Sequence, residues 1–91
     1  MNIKEIYIFG KFHKKMSLCG RPEKIYKCDN FSIKLDNGIE INAIGCLNDD
    51  GYYFNILAVY KNDKIYRNFK YHRKYIILVR DGIFDYYKAN K

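Results

Sequence analysis

The residues of this chain best suited to chemistry are its cations, which are concentrated in two segments. Residues 11–27 hold six basic residues against one acidic residue, and residues 61–74 repeat that ratio. The stretch between them, residues 28–60, carries five acidic residues and one lysine. Clustered Lys and Arg side chains attract phosphates, so this layout indicates a nucleic acid, a nucleoprotein or another acidic surface as the partner.

The two basic segments form one binding patch if the fold brings them together, and are ordinary solvated surface if they lie on opposite sides. The second segment also suits single-stranded nucleic acid, because Tyr66 can stack on a base while Lys64 and Lys70 hold the backbone. It has no RNP-type aromatic motif, Gly-x-x-Gly loop or recognition-helix pattern. The candidate contacts are Lys11, Lys14, Lys15, Lys64, Tyr66, Arg67, Lys70, Tyr71, Arg73 and Lys74.

Composition offers a competing explanation for the lysines. Lys, Ile, Tyr, Asn and Phe share A/T-rich codons and make up 51 of the 91 residues, so an AT-rich genome would produce the same excess. The small size, this composition and the lack of catalytic motifs resemble those of inhibitors that phages and mobile elements encode against host defence systems. The resemblance covers no motif. It implies an anti-CRISPR-like role, with a CRISPR effector or a similar nucleic-acid-handling complex as the target.

One enzymatic activity is compatible with the residue types, that of a metal-independent ribonuclease. His13 or His72 would accept the 2′-hydroxyl proton as the general base. The side chains that would stabilise the phosphorane are Arg67, Arg73 or Lys74, with Tyr71 assisting. The chain has no Gly-x-Ser-x-Gly nucleophile and no glycine-rich phosphate loop. We therefore expect a binding protein rather than an enzyme, and no cofactor.

The cysteines bear on metal binding and on the cellular compartment. Cys19, Cys28 and Cys46 show no Cys-x-x-Cys spacing. An odd number of cysteines without a secretory signal favours reduced thiols in a cytoplasmic protein. A zinc site that adds His13 or His72 matches no closely paired ligand pattern, so we expect no metal. No apolar run approaches the roughly 20 residues that cross a bilayer, and no membrane partner is expected.

The segments that must position these side chains are mainly predicted strands. Apolar and polar residues alternate over residues 31–35 and 39–43, on either side of Asp36-Asn37-Gly38. This pattern predicts a β-hairpin with one buried face. Residues 3–9 and 52–60 are apolar on both faces and are predicted as further strands, the second of them in the centre of the sheet.

The end of the chain is predicted as a second hairpin. Residues 75–88 contain Asp81-Gly82, and an Asp-Gly pair tolerates the positive φ angles of a tight two-residue turn. Residues 11–27 show little periodicity and are predicted as a long loop that leads into a short strand. Residues 61–74 fit either a strand or a helix, and their high aromatic content favours the strand.

Together these segments predict a single domain over residues 1–91. Its expected fold class is all-β, with one short helix if residues 61–74 are helical, arranged as a small antiparallel barrel or curled sheet of about six strands. The expected function is that of a basic, non-enzymatic binding or inhibitor protein. A homo-oligomeric module, such as a homodimer whose exposed Tyr and Ile side chains form the interface, is a further alternative.

Overall fold

Five strands and one C-terminal helix make up the part of the chain that the computed structural model describes, residues 1–17, 20–49, 51–67, 69–70 and 72–90. They are β1 (Ile3–Met16), β2 (Lys24–Leu35), β3 (Ile39–Asn48), β4 (Gly51–Lys61), β5 (Lys64–Ile65) and α1 (Arg73–Ala89). The strands pair in chain order and antiparallel throughout, which gives an open sheet. The predicted fold class is confirmed, with five described strands where about six were expected.

The predicted hairpin between β2 and β3 is confirmed and lies at the centre of the sheet. Phe31 pairs with Ala43 and Ile33 pairs with Ile41, so the apolar positions of both strands share one face. At the turn, Gly38 has a φ angle of 86°, a left-handed conformation that glycine adopts without steric penalty. The alternation of apolar residues and the residue types of the turn therefore both indicate the hairpin that forms here.

The predicted C-terminal hairpin is wrong, because that segment forms α1. Tyr75, Val79 and Ile83 recur at four-residue spacing and are the buried residues of the helix, which is the period expected for a helical stripe. A hairpin would instead have buried alternate residues. Gly82 lies inside the helix, and a Cβ at this position would collide with the Ile3 side chain of β1. The glycine therefore permits close packing rather than a turn.

The main core lies between α1 and one face of the sheet. Phe31 is fully buried, and its ring meets the rings of Tyr86 and Tyr87 edge-on, with centroids 5.3 Å and 5.5 Å away. A Cβ on Gly45 would lie 2.7 Å from Ile83 Cγ2 and 2.9 Å from Phe31 Cε2, so glycine is required there. The buried residues that strands β2, β3 and β4 contribute to this core are Phe31, Ile33, Leu35, Ile39, Ile41, Ala43 and Val59.

Two tyrosine hydroxyls connect α1 to the sheet. The Tyr87 hydroxyl lies 2.6 Å from Asp29 Oδ2 and 2.7 Å from the Gly45 carbonyl oxygen. The Tyr52 hydroxyl donates to the Arg80 carbonyl oxygen at 3.0 Å. Burial raises the pKa of Tyr52 to about 12, against a smaller lowering by the Arg80 charge. The pKa of Tyr87 is also raised, by burial first and then by its hydrogen bond to Asp29.

The predictions for the two basic segments need correction. The long loop predicted over residues 11–27 is wrong, because β1 continues to Met16 and β2 begins at Lys24. In residues 61–74, Lys61 ends β4 and Lys64 and Ile65 form β5, and α1 begins only at Arg73, so neither one strand nor one helix spans the described part of this segment. Residues 52–60 do form a strand, but β4 pairs with β5 only at its last two residues and is mainly an edge rather than a centre.

Alanine substitutions at the two close-contact glycines test the helix against the predicted hairpin. Gly82→Ala should change the free energy of unfolding by less than about 1 kcal/mol, because a gain in helix propensity of similar size offsets a shift of the flexible Ile3 side chain. Gly45→Ala should lower it by about 1–3 kcal/mol, because the Phe31 ring cannot yield as easily. Urea unfolding measures both. If residue 82 were a turn glycine with a positive φ angle, Gly82→Ala would also lower the free energy of unfolding by about as much as Gly45→Ala. Equal losses of stability in the two variants would therefore contradict the helix.

Alkaline pH should destabilise the folded protein in part through Tyr52. Its folded-state pKa of about 12 lies above the ordinary value of 10.0, so the folded state holds the proton more tightly. This stabilisation is complete below about pH 10 and is lost as the pH rises towards 12. We expect Tm to fall across this window, and to fall less steeply in Tyr52→Phe than in the control Tyr7→Phe, which alters an exposed ring. Identical pH profiles for the two variants would refute the assignment.

Candidate functional site

β1 and the beginning of β2 extend past the end of the β2–β3 ladder as a two-stranded antiparallel ribbon, beside whose base the Lys27 N–H donates to Asn48 Oδ1 at 3.4 Å. At its tip Met16 pairs with Lys24, whereas the ladder between β2 and β3 reaches only to Cys28. We call residues 11–16 and 24–27 the basic ribbon. α1 does not continue over it, because its last turn contacts the sheet through Tyr87 at Asp29, just before the ribbon begins.

The register divides the basic ribbon into two faces, because successive side chains of a strand point to opposite sides. Lys11 pairs with Asp29 and His13 pairs with Lys27, so these side chains share the face that bears α1 further along the sheet. Ile25, which is 62% exposed, lies on the same face opposite Lys15. The exposed basic side chains of this face are Lys11, His13, Lys15 and Lys27.

Two carboxylates, those of Glu23 and Asp29, lie beside this face in the described part of the chain. Glu23 Oε1 lies 2.9 Å from Lys15 Nζ, but both side chains are more than half exposed, and such surface pairs contribute about 0–1 kcal/mol. The Asp29 carboxylate, which pairs across the strands with Lys11, lies with its Oδ2 2.6 Å from the Tyr87 hydroxyl, which can donate to it. Three lysines and His13 thus stand beside two carboxylates, so basic side chains outnumber acidic ones on the described part of this face.

The opposite face of the ribbon is anchored in a second, smaller core. Its buried members are Tyr26, Cys28, Ile44 and Cys46, with Phe12, Met16 and Tyr53 packed against them. Lys14 also points to this side, with its ammonium 5.5 Å from the centroid of the Tyr53 ring. Lys14 is thus engaged with an aromatic ring and is half-buried, and it does not belong to the exposed basic face.

Cys28 and Cys46 form a disulfide between β2 and β3, at the base of the ribbon. The prediction of reduced thiols is wrong for this pair, because the strand register places the two residues directly opposite each other. Disulfide sulfurs are not thiolate ligands, so the zinc arrangement considered above loses two of its three cysteines. Cys19 lies outside the described residues. Among those that are described, no group of three or more His, Cys, Asp or Glu side chains could hold a metal ion.

The second basic segment lies at the other end of the sheet. β1 starts beside Leu35 and ends beside Lys24, whereas Lys61 pairs with Ile39 at the Leu35 end. Lys64 pairs with Lys61 on the edge opposite β1. The fold therefore does not bring the two basic segments together into one patch.

Within this second segment, the side chains predicted to bind nucleic acid are dispersed. Tyr66 packs against the main core, with its ring 5.5 Å from Lys61 Nζ and 5.7 Å from the Phe69 ring, so it is not an open stacking platform. Lys64, Arg67 and Lys70 are exposed around β5 and the following loop, and Arg73 and Lys74 begin α1. Tyr71 lies outside the described residues.

The two histidines lie at opposite ends of the sheet. His13 is on the exposed basic face of the ribbon, and His72 precedes α1 beside Arg73 without a capping hydrogen bond from its side chain. A single site can therefore use at most one of them. The structure provides no histidine acid–base pair for the ribonuclease hypothesis, which would depend on one exposed imidazole.

Sequence reasoning overlooked Lys27 as a member of the basic face. It faces the same side as His13 only because the two strands pair in this register. The available signal was a period of two over Tyr26 and Cys28, which continues the alternation of β2 beyond the predicted hairpin.

Within the described ranges, no helix has both the length and the apolar character that crossing a bilayer requires. Comparison of the sequence and the fold with protein-family models, curated proteins and solved structures gives no match.

Reduction of the disulfide should destabilise the ribbon end of the sheet. The bridge joins residues 18 positions apart, and closing a loop of that length contributes about 3 kcal/mol in the chain-entropy model. We expect dithiothreitol to lower the free energy of unfolding by about that amount in the wild type and in Cys19→Ser, and to leave a Cys28→Ser/Cys46→Ser variant unchanged. Titration of three free thiols in the unreduced, denatured protein would contradict the bridge.

Proposed function

We propose that the protein is a non-enzymatic nucleic-acid-binding module whose contact surface is the exposed basic face of the ribbon. The observation that carries the proposal is the presence of Lys11, Lys15 and Lys27, with His13, on one face of a two-stranded ribbon that extends past α1. Lysines on an exposed element attract phosphates and release their counterions.

The shape of the ribbon favours a duplex as the ligand. The major groove of B-DNA, about 12 Å wide, admits a two-stranded β-ribbon as well as a helix. Alternate residues on a strand are about 6.7 Å apart, since each residue rises about 3.3 Å. Lys11, His13 and Lys15 therefore recur at roughly two base-pair steps, which lets successive side chains reach every second phosphate along one strand.

The second core supports this role by keeping the ribbon in position. The Cys28–Cys46 bridge ties its base to β3, and the packing of Phe12 and Tyr26 fixes the face opposite the cations. A surface held in its binding conformation loses less conformational entropy on association. An inhibitor of a host nucleoprotein, of phage or mobile-element origin, would use the same face. That narrower role stays a prediction.

Charge reversal on the ribbon should weaken nucleic-acid binding strongly, whereas the same charge change elsewhere should weaken it little. Lys11→Glu/Lys27→Glu should weaken the affinity for a labelled DNA duplex by about 100-fold at 50 mM salt. The slope of the logarithm of the binding constant against the logarithm of the salt concentration should fall in magnitude by about two, one for each lost phosphate contact. Lys64→Glu/Arg67→Glu makes an identical change in net charge at the opposite end of the sheet, and we expect a loss of less than about fivefold. Fluorescence anisotropy at 50–200 mM salt measures both variants, and Tm confirms that each is folded.

Three outcomes would contradict the proposal. Equal losses in the two variants would show that the net charge of +7, not the ribbon, attracts the polyanion. No binding to single- or double-stranded DNA or RNA would indicate a protein partner for the basic face. Metal-independent shortening of RNA that stops in His13→Ala or His72→Ala would favour the ribonuclease.

A further inference from the structure

The outer edge of β4 is open over most of its length. β5 pairs only with Tyr60 and Lys61, and the Tyr66 N–H donates to the Val59 carbonyl oxygen at 2.8 Å. Before that point, over residues 51–58, β4 has a neighbouring strand only on its β3 side within the described part of the chain. Unpaired N–H and C=O groups along a strand are a template for another strand.

The two edges of the sheet differ in their protection against such pairing. β1, at the other edge, carries four lysines and one glutamate in its 14 residues and has two register irregularities. Charges and bulges of this kind discourage the addition of a foreign strand. In contrast, residues 51–60 contain no charged residue and no proline, and β4 has one irregularity, at Leu57. The sequence of β4 therefore leaves this edge able to pair.

Apolar side chains are exposed beside the open edge. Leu57 is 50% exposed, and Ile76 and Phe84 of α1, which flank β4, are 38% and 37% exposed. Ile76 forms a shallow groove with Phe54 and Ile56 along the strand. A strand added at this edge would satisfy the backbone groups and cover these side chains in one step.

We propose that the occupant of this edge is a second copy of the chain, whose own β4 pairs antiparallel with it across a two-fold axis. The charges at the two ends of the strand support this choice. Asp49 precedes the uncharged run and Lys61 follows it, so antiparallel pairing brings the acidic end of one copy towards the basic end of the other. A two-fold axis also places identical residues of the two copies near each other. Like charges would repel there, so the uncharged residues in the middle of β4 suit such a pairing.

The proposed dimer leaves the basic ribbon free. β1 forms the edge of the sheet opposite β4, so joining two sheets through β4 places the two ribbons at the outer edges of the combined sheet. The inference does not depend on the proposed nucleic-acid role, because the β4 edge and the basic face share no residue.

Sedimentation equilibrium from 1 to 200 µM protein tests the proposal. We expect a particle of twice the chain mass of 11.0 kDa in the wild type. Asn55→Lys, which places like charges together near the two-fold axis, should raise the dissociation constant at least tenfold. Asn2→Lys introduces the same charge at an exposed position outside the sheet and should leave it unchanged.

A complementary pair of variants distinguishes a specific loss of dimerisation from misfolding of the variant. Asn55→Lys and Asn55→Asp alone should each dimerise at least tenfold more weakly than the wild type, and an equimolar mixture should recover the dimer, because opposite charges then meet across the axis. A wild-type monomer over the whole concentration range would overturn the proposal. A dimer that persists in both Asn55 variants would also overturn it, by locating the interface elsewhere.

Discussion

The close approach of α1 to the sheet at Gly45 determines how the rest of the molecule is arranged. Because Gly45 has no Cβ, Ile83 and Phe31 can meet above it. The Tyr87 hydroxyl then reaches the Gly45 carbonyl oxygen and Asp29. This contact fixes where the helix ends relative to the strands. The basic ribbon lies past that point in the sheet, so it has no helix over it and must be stabilised on its other face. The second core and the disulfide supply that support.

The elements that follow strict local rules were predictable from the sequence, and those set by distant contacts were not. The β2–β3 hairpin has both alternation and an Asn-Gly turn, and each signal is local. The Asp81-Gly82 pair led to a predicted hairpin where α1 forms, because the packing of Gly82 against Ile3, far away in sequence, is not visible in the local sequence. A glycine in a helix and a glycine in a turn look the same until the partner element is known.

The candidate site was predictable in composition but not in arrangement. The clustering of Lys11 and Lys15 is visible in the sequence, whereas the division between the exposed face and Lys14 depends on a strand where a loop was predicted. Likewise, the cross-strand partnership of Cys28 with Cys46 is a property of register, which residue spacing does not encode. The separation of the two basic segments follows from strand order, and that order is set by which hairpins form.

Electrostatics links the two surfaces proposed for this molecule. A chain with a net charge of +7 repels its own copies at most orientations, and this repulsion is smallest where the approaching surfaces are uncharged. The β4 edge meets that condition, and the charged β1 edge does not. Pairing through β4 would double the positive charge on one particle and set two ribbons in a fixed relation. Binding of the first ribbon to a long polyanion would then raise the effective concentration of the second, so avidity would exceed the affinity of one ribbon wherever both reach phosphates.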